Sequence, residues 1–416
     1  MAERDDRARL GFIGVGGFIS ARHLPHAARL ETCQVRALCD IDEKRLAQRE
    51  AMYRPAYTTI DYRRLLEDDA IDIVVIGTKQ DLHARFASEA LDAGKWVLVE
   101  KPIGETLEEM DRVIQAAESS PGKLAVGHNR RFAPAIADAL PLIALSEGPQ
   151  YVSYRVVHPT PGKDRGFYAN REKLLYEGCH MFDLANYLIG AYPTAAFASG
   201  DRLRNTCTIC EYADGSRFQF LLGTIGSPQL EKESIEIYSD RGAIHLSDFS
   251  DLRVRGYRGE YDRLCASSPE SPPELLEAAE IYGNDFLDVV RRNHHADRLN
   301  KLGGHWASLP LEEVRRVGLS EEAYKVSRRL RKEAEGEGTP YDWLRPNFGH
   351  GELLEHFVAC FLNDTEPASS DALDASVACV TALAAIQSID TRKLVALESV
   401  VGLTPRIDLQ RGPKGR

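Results

Sequence analysis

A lysine at the end of a buried strand and a histidine with polar neighbours one helical turn away are the groups in this chain best suited to acid–base work. Val99-Glu100-Lys101-Pro102 closes the apolar run Trp96-Val97-Leu98-Val99. Pro102 has no N–H for a further ladder bond, so Lys101 stands at the carboxyl end of a strand. Open α/β sheets bind their ligands at that end, and an ammonium placed there can stabilise a developing negative charge. In LLYEGCHMFDLANYLIG, helical spacing sets Tyr176 and Glu177 four and three residues before His180, and Asp183 three after it. A histidine flanked in this way can be held in one tautomer and used as a general base. It can equally be a satisfied structural histidine, and sequence distance alone does not bring it to Lys101.

The elements that would present a ligand to this lysine begin near residue 8. Gly11-Phe-Ile-Gly14-Val-Gly16-Gly17-Phe18-Ile19 runs from an apolar strand into a helix, and Gly14 and Gly16 match the first two glycines of the dinucleotide fingerprint. Such glycines let the chain turn tightly and let its backbone approach a pyrophosphate. Gly17 and Phe18 lie in the same turn, and Ile19 occupies the place of the third glycine. Asp40 ends the second strand, where a carboxylate can accept hydrogen bonds from ribose hydroxyls and repel a 2′-phosphate. NAD is therefore expected over NADP, with Lys44 and Arg45 as the opposing charges. Thr78, His83, Glu100 and Asn129 fall along the same sheet edge and are further candidates for cofactor contact. His83 can also be a structural residue at a helix start, and Arg130 and Arg131 are either solvated or placed to bind an oxygen-rich substrate. Cys207 and Cys210 have a metal-like spacing without a second pair, so no metal site is expected.

Composition narrows the partner. A chain of 416 residues, 43% hydrophobic and 28% charged, has room for two cores, and a formal charge of -11 disfavours nucleic acid and anionic membrane surfaces. A small-molecule partner fits. The polar start MAERDDRARL and the lack of eighteen uninterrupted apolar residues point to a cytoplasmic protein, in which the eight cysteines are expected as free thiols. Strand and helix patterns alternate up to about residue 132, which implies an α/β fold with a doubly wound parallel sheet. Beyond about residue 149, alternating strands with turns at Asp214-Gly215 and Arg241-Gly242 predict a large open, mostly antiparallel sheet. The expected division is a dinucleotide-binding domain over 1–132 and an α+β substrate-binding and oligomerisation domain over 133–416, with a helical insertion around 258–350. Arg131, Arg155, His158, Arg165, Tyr168 and Asp183 are positional candidates for substrate contact.

Together these segments resemble the Gfo/Idh/MocA family, the group of glucose-fructose oxidoreductase and inositol dehydrogenase. GFIGVGGFISARHLP, Asp40, VVIGTKQDLHARFASEALDAGKWVLVEKP, GHNRRFAPAI and EGCHMFDLANYLIG stand in the family's order. The resemblance implies a Rossmann domain, a second domain whose open sheet supports homodimers or homotetramers, a bound nicotinamide cofactor, and hydride transfer on a sugar, cyclitol or related alcohol. It implies that Lys101 is the active-site lysine and His180 the catalytic histidine. Tyr176 stands where the family often has an aspartate, with Glu177 beside it, an arrangement similar to an EGCH-type subgroup. Glu177 as an orienting or proton-relay residue is the preferred expectation, with Tyr176 as proton donor or pocket wall the other. Lys79 in place of proline and Ile19 in place of glycine are further departures. An NAD-dependent polyol or sugar dehydrogenase is the leading expectation. A redox-neutral enzyme that cleaves or eliminates glycosides through transient oxidation, and a non-catalytic cofactor-binding sensor, are the alternatives.

Overall fold

Short apolar runs separated by amphipathic helices dictate the first third of the chain. The computed structural model describes residues 7–158, 172–227, 230–257, 261–264, 347–402 and 406–415, with a few isolated positions besides. In it, β1 (Ala8–Ile13), β2 (Cys33–Cys39), β3 (Tyr57–Thr59), β4 (Ile73–Ile76), β5 (Trp96–Val99) and β6 (Leu124–Val126) form a sheet in the order β3-β2-β1-β4-β5-β6. Every pairing is parallel, and β4 and β5 are buried along their whole length, as a sheet covered on both faces requires. This is the strand order of the doubly wound dinucleotide-binding fold. The covering helices are α1 (Gly17–Ala21), α2 (His23–Arg29), α3 (Glu43–Tyr53), α4 (Arg63–Leu66), α5 (His83–Asp92) and α6 (Leu107–Ser119), and α7 (Pro134–Ile143) follows and meets the second sheet. Thr106 and Glu109 close a reciprocal capping box at the start of α6.

Period-two alternation governs the second sheet. Among the described residues it contains β7 (Tyr151–Val157), β8 (Pro193–Gly200), β9 (Thr206–Tyr212), β10 (Arg217–Gly223), β11 (Glu233–Tyr238), β12 (Ala243–Ser247), β13 (Asp251–Arg255), β14 (Tyr261–Leu264) and β15 (Val395–Ala396). Their order is β14-β13-β12-β11-β7-β10-β9-β8-β15. β7 and β10 run parallel, and the remaining pairs are antiparallel. One face packs on α8 (Cys179–Ile189), where Phe182 meets Phe218 and Phe220 edge-on at 6.1 and 5.6 Å. The other face exposes Tyr151, Phe197, Ile209, Leu221 and Tyr238. Cys207 is exposed and Cys210 buried, because residues three apart on a strand point to opposite faces.

Two later helices bind the layers together. α9 (His350–Asn363) returns to the first sheet, setting Phe357 and Phe361 against Trp96 at 5.3 and 5.4 Å. α10 (Ala372–Thr391) packs on α8, and Ser388 on it accepts a hydrogen bond from the Ala198 backbone of β8. By length and composition α10 could cross a membrane, but most of it is buried inside the protein as a core helix. α11 (Leu397–Val401) follows β15. Apart from β14 and scattered positions, the helical insertion expected around 258–350 lies outside the described residues.

Candidate active site

The glycine turn after β1 is shaped by one positive φ and one close approach. Gly14 has φ +84°, and a Cβ there would fall 2.7 Å from the Gly77 carbonyl oxygen. Gly16 and Gly17 meet nothing within 4 Å of an added Cβ, and α1 starts without a side-chain cap, so these bare amides stand open to an anionic group. Ile19 is fully buried. It packs so closely against Gly77, just past β4, that a Cβ on Gly77 would lie 2.2 Å from Ile19 Cγ1. The close helix–strand contact that the third glycine of the fingerprint provides is thus made by a glycine on the strand side. Asp40 Oδ2 accepts the Val15 N–H at 2.9 Å and Oδ1 the Asp42 N–H at 3.0 Å, while Arg45 Nη1 reaches both oxygens. Phe18 is half exposed, its ring edge-on to His23 and His350.

Lys101 and His180 are brought together by a contact that no local pattern signals. The Lys101 ammonium donates a 2.8 Å hydrogen bond to the Tyr176 carbonyl. That carbonyl belongs to a π-helical turn, Leu174–Gly178, leading directly into α8 and His180. Single π turns of this kind often occur at functional sites. His180 is nearly buried, and its Nδ1 has no hydrogen-bond partner among the described residues. Burial and the charges of Arg130, Lys101 and His128 push its imidazole well below the usual value, so it is neutral. Tyr176 is buried and Glu177 half-buried. Beside Lys101, Glu100 meets His23 Nε2 at 2.8 Å. Burial pushes this carboxyl up, but His23 and Lys101 outweigh it and hold it below the usual range. Gly127 leaves room for this pair, since a Cβ there would be 2.7 Å from Glu100 Oε1.

Several sequence candidates are committed elsewhere. Arg131 and Asp183 are not available to a substrate. Arg131 forms a buried fork on Asp183, with Nε at 2.8 Å, and also reaches Asp374 and the Lys414 carbonyl, each at 3.0 Å. Arg155 lies on the open face of the second sheet, opposite α8, because it alternates with the inward Tyr154 and Val156, and it pairs with Glu231. His158, just past the end of β7, keeps the inward parity and is half-buried. His83 is buried with Nδ1 3.0 Å from the Pro102 carbonyl and Nε2 3.3 Å from that of Thr78, so it braces the Lys101 turn and offers a cofactor no polar atom. Asn129 donates through its amide nitrogen at 2.6 Å to the Phe348 carbonyl, while the Thr78 hydroxyl donates to the Lys79 carbonyl. Arg165 and Tyr168 lie outside the described residues.

Sequence reasoning missed Glu233, His23 and the buried charge around His128. Arg130 forks onto Glu233 of β11 at 2.9 and 2.7 Å, and the Tyr154 hydroxyl donates to the same carboxylate. Strand parity alone could have drawn attention to Glu233, a charged residue at an inward position of an otherwise apolar strand face. No cluster of potential metal ligands occurs among the described residues.

Comparison with known proteins agrees with this geometry. Residues 8–128 match the Gfo/Idh/MocA oxidoreductase family, described as an NAD-binding Rossmann fold. The uncharacterized oxidoreductase YrbE of Bacillus subtilis is 29% identical over 275 residues, covering 65% of this chain and 76% of its own. A glycosyl hydrolase family 109 protein of Shewanella is 36% identical over 129 residues, which span 28% of each chain. The crystal structure of a putative myo-inositol dehydrogenase from Sinorhizobium meliloti superposes with a TM-score of 0.66 over 94% of this chain and 99% of that one, at 17% identity, which establishes a shared fold.

Proposed function

We propose, on the premise that this chain belongs to the Gfo/Idh/MocA family of NAD-binding oxidoreductases, that it moves hydride between nicotinamide and a secondary alcohol or ketone of a sugar, cyclitol or glycoside. The observation that carries the reading is the Lys101–Tyr176 hydrogen bond, which ties the strand end at the cofactor edge to the helix of an unpartnered, neutral His180.

The residues fit a dinucleotide. The open amides at Gly16 and Gly17 would take the pyrophosphate, and Asp40 the ribose of the adenosine half. Arg45, one of the cations that could take a 2′-phosphate, is already matched by Asp40 and Asp42, which favours NAD over NADP. When bound, the nicotinamide supplies a hydride acceptor and donor. The chain's own residues handle the proton. The His180 imidazole accepts the substrate hydroxyl proton, and in the reverse direction returns it to the alkoxide. Lys101 stabilises the negative oxygen that develops. Glu177, next to the Lys101 anchor and half-exposed, relays the proton toward solvent. Tyr176 meets Lys101 through its backbone, so its phenol is assigned to the pocket wall.

A redox-neutral glycoside-cleaving enzyme is the second reading. It is favoured by the match to glycosyl hydrolase family 109 proteins, although the aligned segment is a little over a quarter of their length. The exposed apolar row on the second sheet supports a homodimer or homotetramer. NAD reduction measured against a panel of inositols, free sugars, glycosides and nucleotide sugars tests the proposal. A net rise of reduced cofactor, lost by 10²-fold or more in Lys101→Ala and His180→Ala, is expected of a dehydrogenase. Product without net reduction selects the second reading, and full biological effect in both variants would refute catalysis.

A further inference from the structure

His128, in the turn after β6, is a buried titratable group that the reaction above does not use. Its Nδ1 lies 3.0 Å from Asp183 Oδ1 and 2.9 Å from the Ser370 hydroxyl. Its ring meets that of His180 edge-to-face, with centroids 5.5 Å apart. Asp183 is one turn beyond His180 on α8, so one helix carries both the base and the carboxylate that grips the neighbouring imidazole.

We propose that His128 is a positioning residue: held as an imidazolium by Asp183, it stands beside His180 as a fixed positive charge and keeps that base neutral. This rests on the reading of His180 as the base. The groups facing the two rings come from every packed element. His128 faces Asp183 and Cys179 on α8 and Ser370 before α10. His180 faces Lys101 after β5, Arg130 and His128 after β6, and His350 at the start of α9. His350 adds no charge, because burial and Arg22 push it well below the usual value.

Burial alone would discharge His128, but Asp183 outweighs it and raises the ring to about 9. Burial pushes the Cys179 thiol up, yet Cys379, His128 and the Lys101 charge bring it below the usual range, so this neighbour favours the cationic ring, while His128 Nε2 is buried without a hydrogen-bond partner among the described residues. Asp183 stays ionised because Arg131 also grips it. Removing the charge at residue 128 therefore raises the His180 value twice over. One repelling cation disappears, and Asp183 is left less neutralised. At 5.5 Å and an effective dielectric near that of other protein sites, the rise is about one to two units.

The experiment is a ring-nitrogen NMR titration of ¹⁵N-histidine-labelled protein with NAD bound, with peaks assigned through His128→Gln and His180→Gln. Expected are a His128 ring carrying two protons at pH 7 and a neutral His180. In His128→Gln, the His180 titration and the acid limb of kcat/KM move up by about one unit or more, and in His128→Lys both return toward wild type. A neutral His128 at pH 7, or a His180 titration unmoved in His128→Gln, overturns the proposal. Should His128→Gln not fold, the wild-type spectrum decides alone. Absence of turnover on every substrate counts against the base reading, whereas the protonation states are read without turnover.

Discussion

Gly77→Ala tests the most specific piece of packing in the cofactor turn. Gly77 is outside the left-handed region, so on backbone grounds alone an alanine should stabilise the protein by about 0.4–1 kcal/mol through the unfolded chain. The added methyl, however, would sit 2.2 and 2.3 Å from Ile19 Cγ1 and Cδ1, well inside van der Waals contact. Ile19 is fully buried, so its side chain has nowhere to swing, and α1 must lift from the sheet. Overpacking of this kind costs about 1–3 kcal/mol, which reverses the sign. Ile19→Ala alone leaves a cavity and costs about 2–4 kcal/mol. The double variant should lose little beyond Ile19→Ala, giving a coupling of about −1 to −3 kcal/mol. Urea denaturation of all four proteins supplies the cycle, and NAD titration reports whether the lifted turn still binds. Additive losses within about 0.5 kcal/mol, or a more stable Gly77→Ala, would refute the account of Gly77 as the displaced third glycine.

Other outcomes follow from the buried charges and the open sheet face. Burial pushes Asp183 and Glu233 up, but Arg131 and Arg130 respectively outweigh it and hold both carboxyls below the usual range. Their contribution is fully present above the unfolded carboxylate values and drains as the pH falls below about 5 toward the lowered folded values, so urea midpoints should drop steeply there. Asp183→Asn, which leaves Arg131 and His128 facing a neutral amide, should cost about 3–5 kcal/mol at pH 7 and flatten that acid slope; an unchanged slope would count against it. Asp40→Ser removes one of the two carboxylates that hold Arg45, along with the charge that would repel a 2′-phosphate, and should shift the NADP-to-NAD affinity ratio by about tenfold or more toward NADP, read by cofactor fluorescence titration, with a constant ratio as the adverse result. Ile209→Lys, at an exposed apolar site on the second sheet, should lower the mass measured by light scattering without changing the unfolding midpoint of the protomer; an unchanged mass would remove that face from the assembly.

The strands were readable because their chemistry is local. A buried parallel strand needs an apolar run such as Ile73–Ile76, and a half-covered strand needs alternation such as that of Thr206–Tyr212. The turn residues Gly14 and Gly16 and the strand-end Lys101 were legible for the same reason. The meeting of Lys101 with the Tyr176 carbonyl depends on two segments 75 residues apart and on a π turn that side-chain periodicity does not encode. Arginines at strand ends advertise anion binding, yet Arg130 and Arg131 found carboxylates in the interior, supplied by Glu233, Asp183 and Asp374 from distant elements. Arg155 is different. Counting by twos from Tyr154 would have placed it on the open face.

The way α9 closes over the first sheet bears on how this fold can be cut and recombined. The six parallel strands are contiguous in sequence, but their apolar surface is completed by Leu353, Leu354, Phe357 and Val358, which share a core with Leu10, Phe12 and Leu98. Severed near residue 132, the nucleotide-binding layer would leave Trp96 and this groove open to water and would unfold or self-associate. The first sheet and α9 are therefore expected to melt together. A chimera that transplants the cofactor half into a relative must carry the distal helix with it, or recruit one of the same shape.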